Sequence, residues 1–178
     1  MWRKSIEISR NNFTENKAFD HQKNGGLGGG VACAGDDAYL DYNDFTSNEA
    51  VDGGTIYVSG TNTNVDNSNF TANNATDGGA LYIKGTIVDV GNSNFEGNTA
   101  LKGGAAFISG NTTRFHDSNF TSNSVTNVTP DEGLGGAVYL ENAKDNEINS
   151  CIFENNTASV SGGAIDWDLG TSDGRIIN

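Results

Sequence analysis

The sequence predicts an all-β chain wound into a parallel β-helix of about six to seven coils of ~25 residues. Three observations carry that expectation. Phenylalanine returns every 25 residues at Phe45, Phe70, Phe95 and Phe120, and Phe13 and Phe153 continue the series across longer gaps. An asparagine follows each of them three residues later, at Asn16, Asn48, Asn73, Asn98, Asn123 and Asn156. Eight residues after the middle phenylalanines stand the pairs Gly53-Gly54, Gly78-Gly79 and Gly103-Gly104. A fixed period of this size means one structural unit stacked on copies of itself.

The columns around these landmarks read as strands. After each glycine pair comes a small residue, then an aliphatic one, as in Ala80-Leu81 and Ala137-Val138. The next position holds Tyr57, Tyr82, Phe107 and Tyr139, and the one after it Val58, Ile83, Ile108 and Leu140. Alternation of this kind is strand periodicity, with the two aliphatic columns facing inward. A second strand leads to each phenylalanine, with Leu40, Val65, Val90 and Phe115 five residues before it. Small residues stand two before it, at Ser68, Ser93 and Ser118. The phenylalanine then points inward and stacks on its copies, adding aromatic contact to area burial. The asparagine falls at a turn, where its side chain bonds backbone groups and the next coil. The glycine pairs suit a tight corner that needs positive φ. No stretch carries the 3.6-residue period of a long amphipathic helix.

Two coils are longer. The interval from phenylalanine to glycine pair is 15 residues for Phe13 to Gly28 and for Phe120 to Gly135, against eight in the short coils that begin at Phe45, Phe70 and Phe95. Both insertions leave the coil at the same corner, where loops of a solenoid often carry specificity.

Composition narrows the function. At 35% hydrophobic with 24 glycines, a chain of 178 residues without periodicity would be expected to stay disordered. Here the apolar residues recur in register, so a thin core along an axis is expected. Pro130, the single proline, agrees with a nearly continuous sheet. The net charge of −13 argues against nucleic acid and against an anionic membrane face. No apolar run is long enough for direct membrane insertion, and Met1-Trp2-Arg3-Lys4 is not a signal peptide. Residues 1–178 read as a single β-helix segment, a fragment of a longer protein that begins and ends inside the repeat.

Phe-x-x-Asn paired with Gly-Gly-Ala-aliphatic resembles the repeat of chlamydial polymorphic outer-membrane proteins. Gly78-Gly79-Ala80-Leu81 with Phe95-Glu96-Gly97-Asn98 is the clearest copy, and Gly162-Gly163-Ala164-Ile165 is another. Similar motifs occur in adhesin-like surface proteins of methanogenic archaea, whose asparagine and threonine bias is closer to this chain. The resemblance implies a right-handed parallel β-helix of the pectin-lyase type in a surface-exposed or secreted adhesin. It implies no catalytic residues.

The aromatic column Tyr57, Tyr82, Phe107 and Tyr139 is the first candidate site, an outward row beside Ser59, Lys84 and Ser109 that would pack on a glycan or protein of a host or neighbouring cell. The plainer reading is a cross-strand ladder that only stabilises the sheet. Glu141, Asp166 and Asp168 form an acidic candidate, able to hold calcium or to supply the acid and nucleophile of a carbohydrate-active enzyme. No other cofactor is implied. His21 and His116 read as surface residues. Cys33 and Cys151, several coils apart, read as two buried free thiols. Asn-x-Ser/Thr sequons begin at Asn12, Asn69, Asn74, Asn111, Asn119, Asn127 and Asn155, with Asn127 expected to be the most accessible. The expected function is a non-enzymatic adhesin segment at the cell surface. The alternative is a polysaccharide lyase or glycoside hydrolase on the same fold.

Overall fold

The computed structural model describes residues 5–19, 26–126, 132–168 and 170–178. Among these residues there are strands and turns but no helix. The strands fall into three long parallel sheets. The first holds Ile6–Ser9, Ala38–Asp41, Thr61–Asp66, Thr86–Gly91, Thr113–His116, Glu147–Asn149 and Arg175–Ile177, in that spatial order. The second holds Asn12–Thr14, Asp44–Thr46, Asn69–Thr71, Asn94–Glu96, Asn119–Thr121 and Ile152–Glu154. The third runs from Val31–Cys33 through Ile56–Val58, Leu81–Ile83, Ala106–Ile108 and Val138–Leu140 to Ile165–Trp167. Spatial order equals chain order in every sheet, so each coil rests on the one before it. The chain is a parallel β-helix.

Register follows the repeat. Phe70 pairs with Phe95, Leu81 with Ala106 and Val88 with Thr113, each 25 residues apart. The longer coils restore the same register, Phe13 opposite Phe45 and Phe120 opposite Phe153. The second of these gaps is 33 residues rather than 32, and the extra residue lies in the turn before Glu147–Asn149. Asn146 is buried there and accepts a 2.7 Å hydrogen bond from the Thr113 backbone N–H. Its side chain therefore replaces a ladder partner displaced by the added residue.

The phenylalanine column is enclosed in its middle coils. Phe45, Phe70, Phe95 and Phe120 are fully buried, and successive rings from Phe13 to Phe153 stack with centroids 4.6–5.0 Å apart. Phe115 meets this stack edge-on, 5.6 Å from Phe120. The asparagines form a ladder beside it. Asn73 donates its backbone N–H and its Nδ2 to Asn98 Oδ1, both at 3.0 Å, and Asn98 Nδ2 donates to the Phe70 carbonyl at 3.0 Å. Each buried amide thus has both ends engaged, which is what makes its burial tolerable. Phe13, Asn16, Phe153 and Asn156, in the outermost copies, are less covered than the middle ones. A second ladder runs through the small residues at the bend: Ser68 N–H donates to Ser93 Oγ and Ser93 N–H to Ser118 Oγ, each at 3.1 Å.

Each coil turns through left-handed residues, and only one of these positions is glycine throughout. In one turn of the helix they are Gly78 (φ 63°), Ile87 (57°), Asn92 (47°) and Gly97 (64°). At the glycine pair two constraints meet. Gly78 needs the left-handed conformation, and a Cβ on Gly79 would strike the Gly104 carbonyl oxygen of the next coil.

Both cysteines are free, and Cys33 is buried. Cys151 departs from the expectation of a buried thiol: it is half-exposed because it lies in an outer coil, with its Sγ 3.3 Å from the Asn149 carbonyl. His21 and Asn127 lie outside the described residues.

Candidate functional site

The third sheet places Tyr57, Tyr82, Phe107 and Tyr139 opposite one another, one per coil. Their strands are short and alternate, so these rings face away from the phenylalanine core while Val58, Ile83, Ile108 and Leu140 face into it. Tyr57 and Tyr82 stack at 5.4 Å and remain half-exposed. The other half of the row is not the open surface expected of it. Phe107 is only 2% exposed and Tyr139 only 5%. Phe107 is sandwiched between Tyr82 at 4.7 Å and Tyr139 at 5.4 Å, and Lys102 lies over the Tyr139 ring, 5.6 Å from its centroid. Outward parity placed these rings on the outer side of the sheet, and contact with neighbouring side chains then covered them.

A charged column flanks the row at the corner before the glycine pairs, where Asp52, Asp77 and Lys102 bridge from coil to coil. Burial, then the neighbouring Asp52 carboxylate, pushes the Asp77 carboxyl up to about 6, with Lys102 opposing. Burial also raises Asp52 above its usual value. The Tyr82 hydroxyl is raised chiefly by burial, and so is that of Tyr139, with Glu141, Asp168 and Asp166 adding to the latter.

The three acidic candidates are therefore near one another but do not converge. Asp166 lies opposite Tyr139, and Glu141 makes a 3.5 Å ion pair with Lys102. Among the described residues no group of three or more His, Cys, Asp or Glu side chains is arranged to hold a metal ion. The sequence pattern placed Glu141 and Asp168 in one outward column, and Glu141 is paired there with Lys102.

A third outward column was not anticipated. On the first sheet the register aligns Tyr39, Asn64, Asp89, Arg114, Glu147 and Arg175. Arg114 Nε reaches Glu147 Oε1 at 3.2 Å, and Arg175 Nη2 reaches Glu147 Oε2 at 2.7 Å. The Arg175 and Arg114 hydrogen bonds hold the Glu147 carboxyl below its usual range. His116 is not the plain surface residue expected of it, because its side chain is only 15% exposed and sits 3.5 Å from Asp89 Oδ2 and 2.9 Å from Asp117 Oδ2. Gly91, its partner on the adjacent coil, makes room: a Cβ there would strike the imidazole. The signal for this column in the sequence is faint, since no two neighbouring coils carry the same member.

The segment Ser150–Asp166 contains Phe153, Asn156 and the Gly162-Gly163-Ala164-Ile165 corner in the geometry described above. Residues 150–166 match the Chlamydia polymorphic membrane protein repeat. The Phe-x-x-Asn and Gly-Gly-Ala-aliphatic elements of the polymorphic membrane protein repeat are thus the second-sheet strand with its asparagine rung, and the glycine corner opening the third sheet. The match is to the chlamydial repeat and says nothing of the archaeal surface proteins. No curated protein and no solved structure matches the chain. The sequons Asn12, Asn69, Asn74, Asn111, Asn119 and Asn155 all lie on exposed positions. No helix among the described residues is long and apolar enough to cross a membrane.

Proposed function

We propose that this chain is a non-enzymatic segment of a cell-surface or secreted adhesin. Its outward columns would attach to a glycan or protein of a host or neighbouring cell. The observation that carries this reading is the division of labour between inside and outside. The inner phenylalanine and asparagine columns repeat the same residue coil after coil and the other inner columns stay apolar, whereas the outward column Tyr39-Asn64-Asp89-Arg114 changes at every step. A rigid, self-templated interior leaves the outer face free to vary, as a recognition surface requires. The repeat of a membrane-protein family in residues 150–166 supports a place at the cell surface. Attachment of the purified chain to a panel of cell types tests the reading, and a chain that attaches to none of them better than a repeat protein of equal charge would remove it.

Glycoside hydrolysis is the second reading, and Asp77 is the observation that favours it. A carboxyl raised to about 6 beside a second carboxylate, Asp52, has the protonation needed of a general acid near neutral pH. Incubation with a panel of polysaccharides and assay for new reducing ends decides it. Turnover that disappears in Asp77→Asn would establish hydrolysis, and no turnover by the unaltered chain would end that reading.

A further inference from the structure

We propose that the outer face of the first sheet, between Tyr39 and Arg114, is a binding site for a short neutral oligosaccharide lying along the helix axis. The inference rests on the attachment reading and names its ligand class and place. A depression of about 400 Å³ opens on this face, large enough for a small ligand. Its lining combines apolar surface with a few polar groups. Tyr39 and Ile87, 45% and 54% exposed, supply the apolar part. Asn64, Asp89 and Arg114 supply an amide, a carboxylate and a guanidinium, which together donate and accept as a set of sugar hydroxyls would need.

Two further features mark the place. The first is Ile87. The corresponding corner holds Asp37, Asn62, Thr112, Asp145 and Asp173 in other coils, and all of them have positive φ. Aspartate and asparagine tolerate that conformation, but a β-branched, solvent-exposed isoleucine at φ 57° is strained and gains nothing from burial. A ligand with an apolar face would compensate for it. The second is Asp89, whose Oδ1 is shielded from solvent yet accepts no hydrogen bond. Arg114 Nη1 stands 4.0 Å away, and His116 steadies the other oxygen at 3.5 Å. The carboxylate is thus held in position on the wall of the depression.

Charge and spacing select the ligand. Asp89 and Arg114 balance each other within the depression, and the chain carries −13 overall, so a polyanionic glycan would be repelled and a cation would meet Arg114. The aligned side chains from Tyr39 to Arg114 span three strand spacings, roughly 14 Å, a length suited to a chain of a few sugar units.

Saturation-transfer NMR on the 178-residue chain tests this with cellotriose, maltotriose and chitotriose as neutral probes and trigalacturonate as the acidic one. At least one neutral probe should bind, more tightly than trigalacturonate, and binding should weaken about tenfold in Tyr39→Ala and in Ile87→Asn. Ile87→Asn should at the same time keep or raise the melting temperature, since asparagine fits the left-handed corner, so loss of binding there cannot be loss of fold. Absence of binding by all three neutral probes, preference for trigalacturonate, or binding that survives both first-sheet variants would each overturn the proposal. If cells still bind the chain while no neutral probe does, the oligosaccharide site fails and the attachment reading stands. If a neutral probe binds while no cell does, the reverse holds.

Discussion

Two rows of aromatic rings run along this solenoid, and they obey different rules. The inner row, Phe13 to Phe153, stacks with planes within 14° of parallel at every step. The outer row, Tyr57 to Tyr139, starts at 25°, passes through 16° and ends tilted by 57°. Both rows share the same strand spacing, so the backbone does not distinguish them. The inner rings are confined on all sides by aliphatic columns and the asparagine ladder, and only one orientation fits. The outer rings lack such a repeated enclosure and settle against whatever neighbour each coil provides, Tyr57 and Tyr82 half-exposed, Phe107 and Tyr139 covered. Close packing from all sides is what converts a repeated residue into a repeated conformation.

Substitutions in the two rows should therefore differ in kind. The largest effect is expected at the centre of the inner row. Phe95→Ala removes a ring sandwiched between Phe70 and Phe120 and should destabilise the chain by about 3–5 kcal/mol in urea unfolding. A loss no greater than that of an outer-row variant would mean the inner stack relaxes around the gap. Asn98→Ala comes next. It takes the side-chain acceptor from the buried Asn73 N–H and the Nδ2 donor from the Phe70 carbonyl, for about 3 kcal/mol, readable in the same unfolding series.

The flank of the outer row should respond to pH in the opposite sense from a paired carboxylate. Between its ordinary value of 3.8 and about 6, the folded chain holds the Asp77 proton more tightly than the unfolded chain does. Raising the pH through that window thus favours unfolding, and the stabilisation present below it is lost above it. Asp77→Asn should flatten the fall in melting temperature between pH 4 and pH 6. An unchanged slope would show that Lys102 already neutralises the charge. The smallest effect belongs to Tyr82→Ala, about 1 kcal/mol, because its half-exposed ring loses stacking but opens no cavity. A loss as large as that of Phe95→Ala would erase the distinction between the rows.

The same contrast explains which parts could be read without coordinates. Phe70, Asn73 and Gly78 announced their roles because each recurs, and a residue repeated at a fixed period must occupy the same environment in every coil. The serine rungs were legible only as small residues, since nothing local says that Ser93 Oγ will accept from the Ser68 N–H a coil away. Phe107 and Tyr139 shared a column with Tyr57, and their burial depended on Lys102 and on each other rather than on parity. Ile87 gave no warning of its left-handed corner, because the usual markers of that conformation are glycine, asparagine and aspartate.

The period, the inward columns and the parallel stacking were thus contained in the chain itself, because similar units that bury apolar residues at matching positions stack in register. Tertiary structure alone decided which unlike residues would meet. Asp89, Arg114 and Glu147 come together across intervals of 25 and 33 residues through register set elsewhere, by the phenylalanines and asparagines inside. The interior fixes the alignment of coils, and the outer surface inherits its neighbours from that alignment.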